Sequence, residues 1–248
     1  MTFHSWGWKV ATLKENPAGA APQMNDSTAN ANHCTANGSM PAGQQVAGEI
    51  AGSLSFNGGN YYLTCANAAN FAFERTDTWS MSAWSKAVSN TPGTILSKEQ
   101  DASIGLQGWE LYWRNGTTNP TLAVELANSV NNRFATRTTA EFATGVFHHL
   151  AATYSGNSLA AGATLYVDGA SQAKTNVIDA LGTNSIQTSA GPEVAARGGA
   201  FARSTATMDE VRVYAKGVLL SPQWVTTEYN NQSNPGTFFT VTTGLTKQ

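Results

Sequence analysis

Hydrophobic and polar residues alternate along this chain in short runs, with turn residues between them. The runs include "GSLSFNGG", "NYYLTCA", "WSMSAWSKAV", "GTILSK", "GWELYWRNG", "TLAVELA", "HHLAATYSG", "ATLYVDG", "MDEVRVYA" and "GTFFTVTTG". An apolar residue at every second position marks a strand that buries one face, and many such strands at this spacing predict an all-β, two-sheet antiparallel sandwich. In "WSMSAWSKAV" the alternation sends Trp79, Met81, Ala83 and Ser85 one way and Ser80, Ser82, Trp84 and Lys86 the other. The segment "LYVDGASQ" ends a strand on Asp168-Gly169, where glycine accepts the positive φ of a type I′ hairpin turn. Helix signals are confined to "SPQWVTTEYNNQ", with Ser221 as N-cap and Pro222 at the first helical position, which predicts one short helix near the C-terminal end.

A chain of 248 residues can bury a sizeable core, and sandwiches of this length are routinely one domain. Only 12% of residues are charged while 41% are hydrophobic, so the chain folds behind a neutral polar surface. The net charge of −2 comes without a Lys/Arg cluster, which excludes a footprint for nucleic acid or an anionic membrane. No apolar run reaches the roughly 18 residues that bilayer insertion needs. The start, "MTFHSWGWKV", lacks the basic and apolar regions of a secretory signal. The expectation is a cytosolically assembled product such as a virion protein, or a fragment of something secreted. Cys34 and Cys65 are too few for a zinc site. They sit on segments expected to be neighbouring strands, and form either a disulfide or two buried thiols; geometry decides.

The order of motifs resembles the laminin G-like (pentraxin-like) jelly rolls of the concanavalin A-like lectin/glucanase superfamily. "DSTANANHCTANG" is similar to that family's Asp-Ser-Ser/Thr-Gly-Asn-x-Asn-His-Gly-Thr opening, and "SLSFNGGNYYLTCANA" to its Phe-Asp-Gly-x-x-Asp-Tyr strand pair. "GVFHHLAATYSG", "LYVDG" and "MDEVRVYAKGVLLSPQWVTTEYNNQ" follow in family order. Cys34 replaces the usual Gly, Asn57 the usual Asp and Phe147 the usual Trp. The resemblance implies a jelly roll over residues 25–232, an N-terminal arm or opening strand over 1–24 in which Trp6 and Trp8 pack, and a C-terminal strand or arm over 233–248. It also implies a structural calcium, held by Asp209 at the head of the last strand together with Asp26, Asn30 and Asn32 or the carbonyls of their loop, an oxygen-rich set of the kind calcium prefers. The competing reading is that Asp209 accepts backbone N–H groups instead.

Catalytic chemistry is sparse. Glycoside hydrolysis needs two carboxyl groups on one face. Glu99 and Asp101 in "SKEQDASIG" form the only Glu-x-Asp of the chain, and they are expected in a solvated hairpin loop. Asp209 and Glu210 are adjacent on a strand and point to opposite faces, so Glu210 with Arg212 reads as a surface ion pair. His148 and His149 read as structural histidines. Aromatic residues that stack on sugar rings are offered by "GWELYWRNG", where Trp109 and Trp113 share a face with Leu111, which favours core packing, and Tyr112 lies beside Glu110 and Arg114. The expected function is a non-catalytic binding or adhesion module at a virion or cell surface, recognising glycan or neighbouring protein subunits. The alternatives are a phage capsid-decoration or tail-associated protein, homo-oligomeric through its terminal arms, and a glycoside hydrolase.

Overall fold

The structure, a computed structural model, describes residues 16–199 and 201–235 and the backbone of residues 7–9. Trp6, the side chain of Trp8 and the segment "GTFFTVTTG" lie outside the described residues. The strands of the first half are β1 (Gly7–Lys9), β2 (Cys34–Asn37), β3 (Gln45–Ala47), β4 (Gly52–Asn57), β5 (Tyr62–Cys65), β6 (Trp79–Ala87), β7 (Gly93–Glu99) and β8 (Gly108–Asn115). Those of the second half are β9 (Pro120–Ala127), β10 (Arg133–Thr138), β11 (His148–Tyr154), β12 (Ala163–Val167), β13 (Ala170–Ser171), β14 (Lys174–Asp179), β15 (Glu193–Val194) and β16 (Thr205–Tyr214). One helix, α1 (Pro222–Ser233), follows.

Two sheets result, as the alternation predicts. The first runs β13-β12-β11-β6-β16-β4-β3, with β1 paired to β16, and the second runs β14-β10-β9-β8-β7-β15-β5-β2. The core between them takes Trp79, Met81 and Ala83 from β6, as read from "WSMSAWSKAV", and Trp109, Leu111 and Trp113 from β8. Tilted ring contacts run through it: Trp79 lies 5.3 Å from Tyr154 within the first sheet, Phe73 5.6 Å from Trp109, and Phe134 of the second sheet 5.4 Å from Tyr154 of the first, between ring centroids. Asp168 and Gly169, at φ 51° and 76°, make the expected hairpin between β12 and β13.

The register of β2 on β5 sets Cys34 opposite Cys65, and the two are joined in a disulfide. A cross-link over 31 residues contributes about 3–4 kcal/mol through the entropy it removes from the unfolded chain.

Strict alternation fails in β16. Its pairing with β6 slips between Asp209 and Arg212, and Glu210 takes φ 48°, so a bulge interrupts the strand. Asp209 and Glu210 are both buried, at 1% and 3% exposure, which corrects the expectation of a surface Glu210. The physical reason is α1: it packs on the outer face of the first sheet, and its Glu228 takes the other side of Arg212, whose Nη2 lies 2.5 Å from Glu210. Ser221 caps α1 by accepting from Trp224 N, and Val225, Glu228 and Gln232 form its buried stripe.

Candidate functional site

The outer face of the second sheet is built by the same alternation that fills the core. Because Trp109, Leu111 and Trp113 point inward, Gly108, Glu110, Tyr112 and Arg114 of β8 point out. Leu122, Val124 and Leu126 leave Thr121, Ala123, Glu125 and Ala127 on the outer face of β9, and Phe134 leaves Arg133, Ala135 and Arg137 on that of β10. Strand register then sets these residues in rows: Tyr112, Ala123, Arg137 and Thr175; Ser97, Glu110, Glu125 and Ala135; Glu99, Gly108, Ala127 and Arg133. Alanines at 123, 127 and 135 and Gly108 make a low floor, and the long polar side chains make walls. Two cavities lie on this face. One, of about 470 Å³, is lined by Arg114, Thr121, Arg137, Thr139, Glu141 and Thr175. The other, of about 290 Å³, is lined by Leu106, Glu110, Tyr112, Glu125, Arg133 and Arg197. Arg114 borders both, so the two adjoin and mark a groove along this face.

One end of the groove gathers acids. Glu110 stands directly opposite Glu125, an arrangement that repels unless it is compensated. Arg197 Nη1 lies 2.7 Å from Glu110 Oε2 and 3.7 Å from Glu99 Oε2, and its Nε 3.5 Å from Asp101 Oδ2. The Thr94 hydroxyl also donates to Glu110. Arg133 Nε approaches Glu125 Oε2 to 3.1 Å without the alignment of a hydrogen bond. Glu99 is fully enclosed at the end of β7, beside Glu110 and Glu125. Burial, and then the charges of Glu110 and Glu125, push its pKa well above the ordinary carboxylate range. Burial raises Glu125 to about 7, with Arg133 opposing and Glu110 adding to the rise. This corrects the sequence reading of Glu99 as a solvated loop residue. Asp101 does sit in the loop, where Oδ1 accepts from Ser103 N at 2.9 Å and caps a short 3₁₀ turn.

The other end is a polar basin. Glu141 accepts from the backbone N–H groups of Thr117, Thr118 and Asn119, and those bonds, with Asn119 first, hold its pKa down at about 2. Arg137 Nη1 donates to Asn115 O at 3.3 Å. Of the expected aromatic platform, Trp109 and Trp113 are buried at 1% and 2% exposure, with Nε1 bonded to Phe71 O and Ser85 Oγ, so they serve the core and present no face to a ligand. Tyr112 alone stands on the groove, half-buried.

The residues expected to hold calcium meet N–H and O–H donors. Asp26 accepts from Thr28 N, Thr28 Oγ1 and Asn32 N at 2.8–2.9 Å, and Asn32 Oδ1 accepts from Asn70 Nδ2 at 2.8 Å. Asn30 donates to Thr28 Oγ1. Asp209 Oδ2 accepts from Ile50 N and Oδ1 from Glu210 N, both at 2.8 Å, which ties the bulge of β16 to the loop between β3 and β4. A cation needs oxygens facing it, and here the side-chain oxygens of Asp26, Asn32 and Asp209 are met by donors, so Asp209 acts as a backbone N–H acceptor in this arrangement.

His148 and His149 both meet neighbouring side chains. His148 Nδ1 lies 2.8 Å from Asp168 Oδ2. His149 is buried beneath α1 between Trp84 and Tyr229 and lies 3.9 Å from Glu228.

Sequence patterning places Glu110, Tyr112 and Arg114 on one face. It missed Glu125, Arg133, Arg137 and Arg197. The alternation of "TLAVELA" carries the outward direction of Glu125, whereas its partners come from register across three strands and a distant loop.

The profile of a family described as the concanavalin A-like lectin/glucanases superfamily, laminin G type, matches residues 57–226. No curated protein matches the chain. Solved structures similar to it include the binding domain of Paraclostridial Mosquitocidal Protein 1, at 13% identity and TM-score 0.64, over 90% of this chain and 52% of that one. The botulinum neurotoxin serotype D binding domain aligns at 12% identity and TM-score 0.57, over 91% and 52%. A Trypanosoma rangeli sialidase aligns at 14% identity and TM-score 0.54, over 91% and 32%. The chain thus spans about half the length of the two binding domains, and at these identities the likeness speaks for the fold alone. With more than half of its length matched by the profile, the chain belongs to the laminin G-type family of the concanavalin A-like lectin/glucanase superfamily.

Proposed function

We propose that this protein is a non-catalytic binding module that holds a glycan in the groove on the outer face of its second sheet. The observation that carries this reading is the groove itself: a floor of small residues, walls of Arg, Thr, Glu and Tyr, and cavities of about 470 and 290 Å³ sharing Arg114. Such a surface offers many directional hydrogen bonds of the kind that hydroxyl-rich ligands need. Similar folds support it at a distance, since the structure of botulinum neurotoxin type C concerns its interaction with two ganglioside molecules. A glycan reading suits a place on a cell or particle surface, which the genes beside this one would test. Screening on a glycan array is the direct experiment, and Tyr112→Ala is expected to weaken a bound sugar about tenfold by removing the one ring that borders the groove. Binding to no sugar would sink the reading.

A glycosidase reading has one observation in its favour, the facing carboxyls of Glu110 and Glu125. Against it, a general acid must reach its substrate. Here Glu110 is tied to Arg197 and Thr94, and Glu99 is enclosed. Turnover of a β-glucan that disappears in Glu125→Gln would reverse this judgement.

A further inference from the structure

We infer that the Arg114 and Arg137 end of the groove takes the acidic group of a charged sugar, a carboxylate or a sulfate. The inference rests on the groove being the glycan site proposed above. Arg114 and Arg137 rise from β8 and β10, on either side of β9, opposite Thr121 and Ala123 respectively. Two guanidinium groups thus border the same basin of about 470 Å³, with the small Ala123 and the short Thr121 between them.

Their charge is unspent. Arg133, Arg197 and Arg212 each lie against a carboxylate, at 3.1 Å from Glu125, 2.7 Å from Glu110 and 2.5 Å from Glu210. Among the described residues, neither Arg114 nor Arg137 forms an ion pair with an acid. The one carboxylate lining their basin, Glu141, already has its oxygens engaged by three backbone N–H groups. Their other contacts are neutral, Arg114 with the Tyr112 hydroxyl and Arg137 with Asn115 O, and a guanidinium offers donors in a fork that matches carboxylate and sulfate oxygens.

The two ends of the groove differ in how their arginines are met. Hydroxyls of Thr139 and Thr175 line the basin and serve neutral parts of a sugar. The far end sets Glu110 and Glu125 against Arg197 and Arg133, so its guanidinium groups are already met by carboxylates and offer an acidic group less. With Trp109 and Trp113 in the core, stacking is limited to Tyr112, so charge supplies the recognition that aromatic rings supply elsewhere.

Titration calorimetry with sialyllactose, a sulfated disaccharide and lactose tests this on the wild type and on Arg114→Gln and Arg137→Gln, with melting midpoints as the check on folding. The expected result is that an acidic sugar binds and lactose binds at least tenfold more weakly. Each arginine variant should lose on the order of 10- to 100-fold in affinity for the acidic sugar while keeping its melting midpoint. Carboxylate and sulfate are distinguished by which of the two probes binds more tightly. Lactose binding as tightly as both acidic sugars would overturn the inference and leave the glycan groove standing, as would acidic-sugar binding unaffected by both substitutions. Binding of none of the three, on an array as well as in solution, would overturn the groove reading and the inference together.

Discussion

The two outer faces of this sandwich treat buried carboxylates in opposite ways. On the first sheet, Glu228 of α1 gathers Arg212, Tyr214 at 2.8 Å, Ser82 at 3.1 Å and Gln232 at 3.3 Å, with His149 nearby. Burial alone would raise its pKa, and contacts with His149, Arg212 and Tyr214 bring it down to about 2. On the second sheet, Glu99, Glu110 and Glu125 share Arg197 and a poorly aligned Arg133, and Glu99 and Glu125 are pushed up by burial and by the charge of Glu110. The covered face matches each charge because α1 takes away the water that would otherwise solvate it. The uncovered face leaves charges mismatched, as binding surfaces do, since their groups are set for a ligand and not for the apo fold.

The largest expected effect comes from breaking the matched side. Glu228→Ala leaves Arg212 with Glu210 alone and takes the acceptor from Tyr214 and Ser82 beneath α1, and should cost about 3–5 kcal/mol of unfolding free energy, read by urea denaturation. A loss under about 1 kcal/mol would mean that α1 is not held by charge. Next comes acid. Glu228 binds its proton more weakly folded than unfolded, so its contribution is present above pH 4.5 and is lost as pH falls toward 2. The fall from 4.5 to about 2 corresponds to about 3 kcal/mol, which Glu228→Gln should remove from the pH profile.

The groove should slope the other way. Glu125 holds its proton in the folded state up to about pH 7 but only to about 4.5 when unfolded, so stability falls as pH rises across that window. Glu125→Gln should flatten this slope while changing stability at pH 5 by less than about 1 kcal/mol, because the protonated acid and the amide are close in shape and charge. A loss as large as that of Glu228→Ala would erase the distinction between the two faces. The smallest effect concerns calcium: EDTA is expected to leave the melting midpoint unchanged, and a drop on chelation, restored by Ca²⁺, would return Asp26 and Asp209 to a metal site.

Much of this was legible in the chain. Side-chain direction along a strand has a period of two, so "GWELYWRNG" by itself sends Trp109, Leu111 and Trp113 one way and Glu110, Tyr112 and Arg114 the other. Ser221 and Pro222 mark the start of α1 for equally local reasons, one accepting from Trp224 N and one lacking an N–H to waste. The bulge at Glu210 was not legible, because it answers to β6 on one side, β4 and β1 on the other and the Ile50 amide beyond.

The sequence by itself determined the class of fold, the two faces of each strand and the place of the helix, since these depend on neighbours within a few residues. Only the tertiary structure decided that Glu110 meets Glu125, that Arg197 reaches both Glu99 and Glu110 from across the sheet, and that Arg114 and Arg137 border one basin. Register and loop placement join residues far apart in the chain, and no local pattern encodes which strand lies beside which.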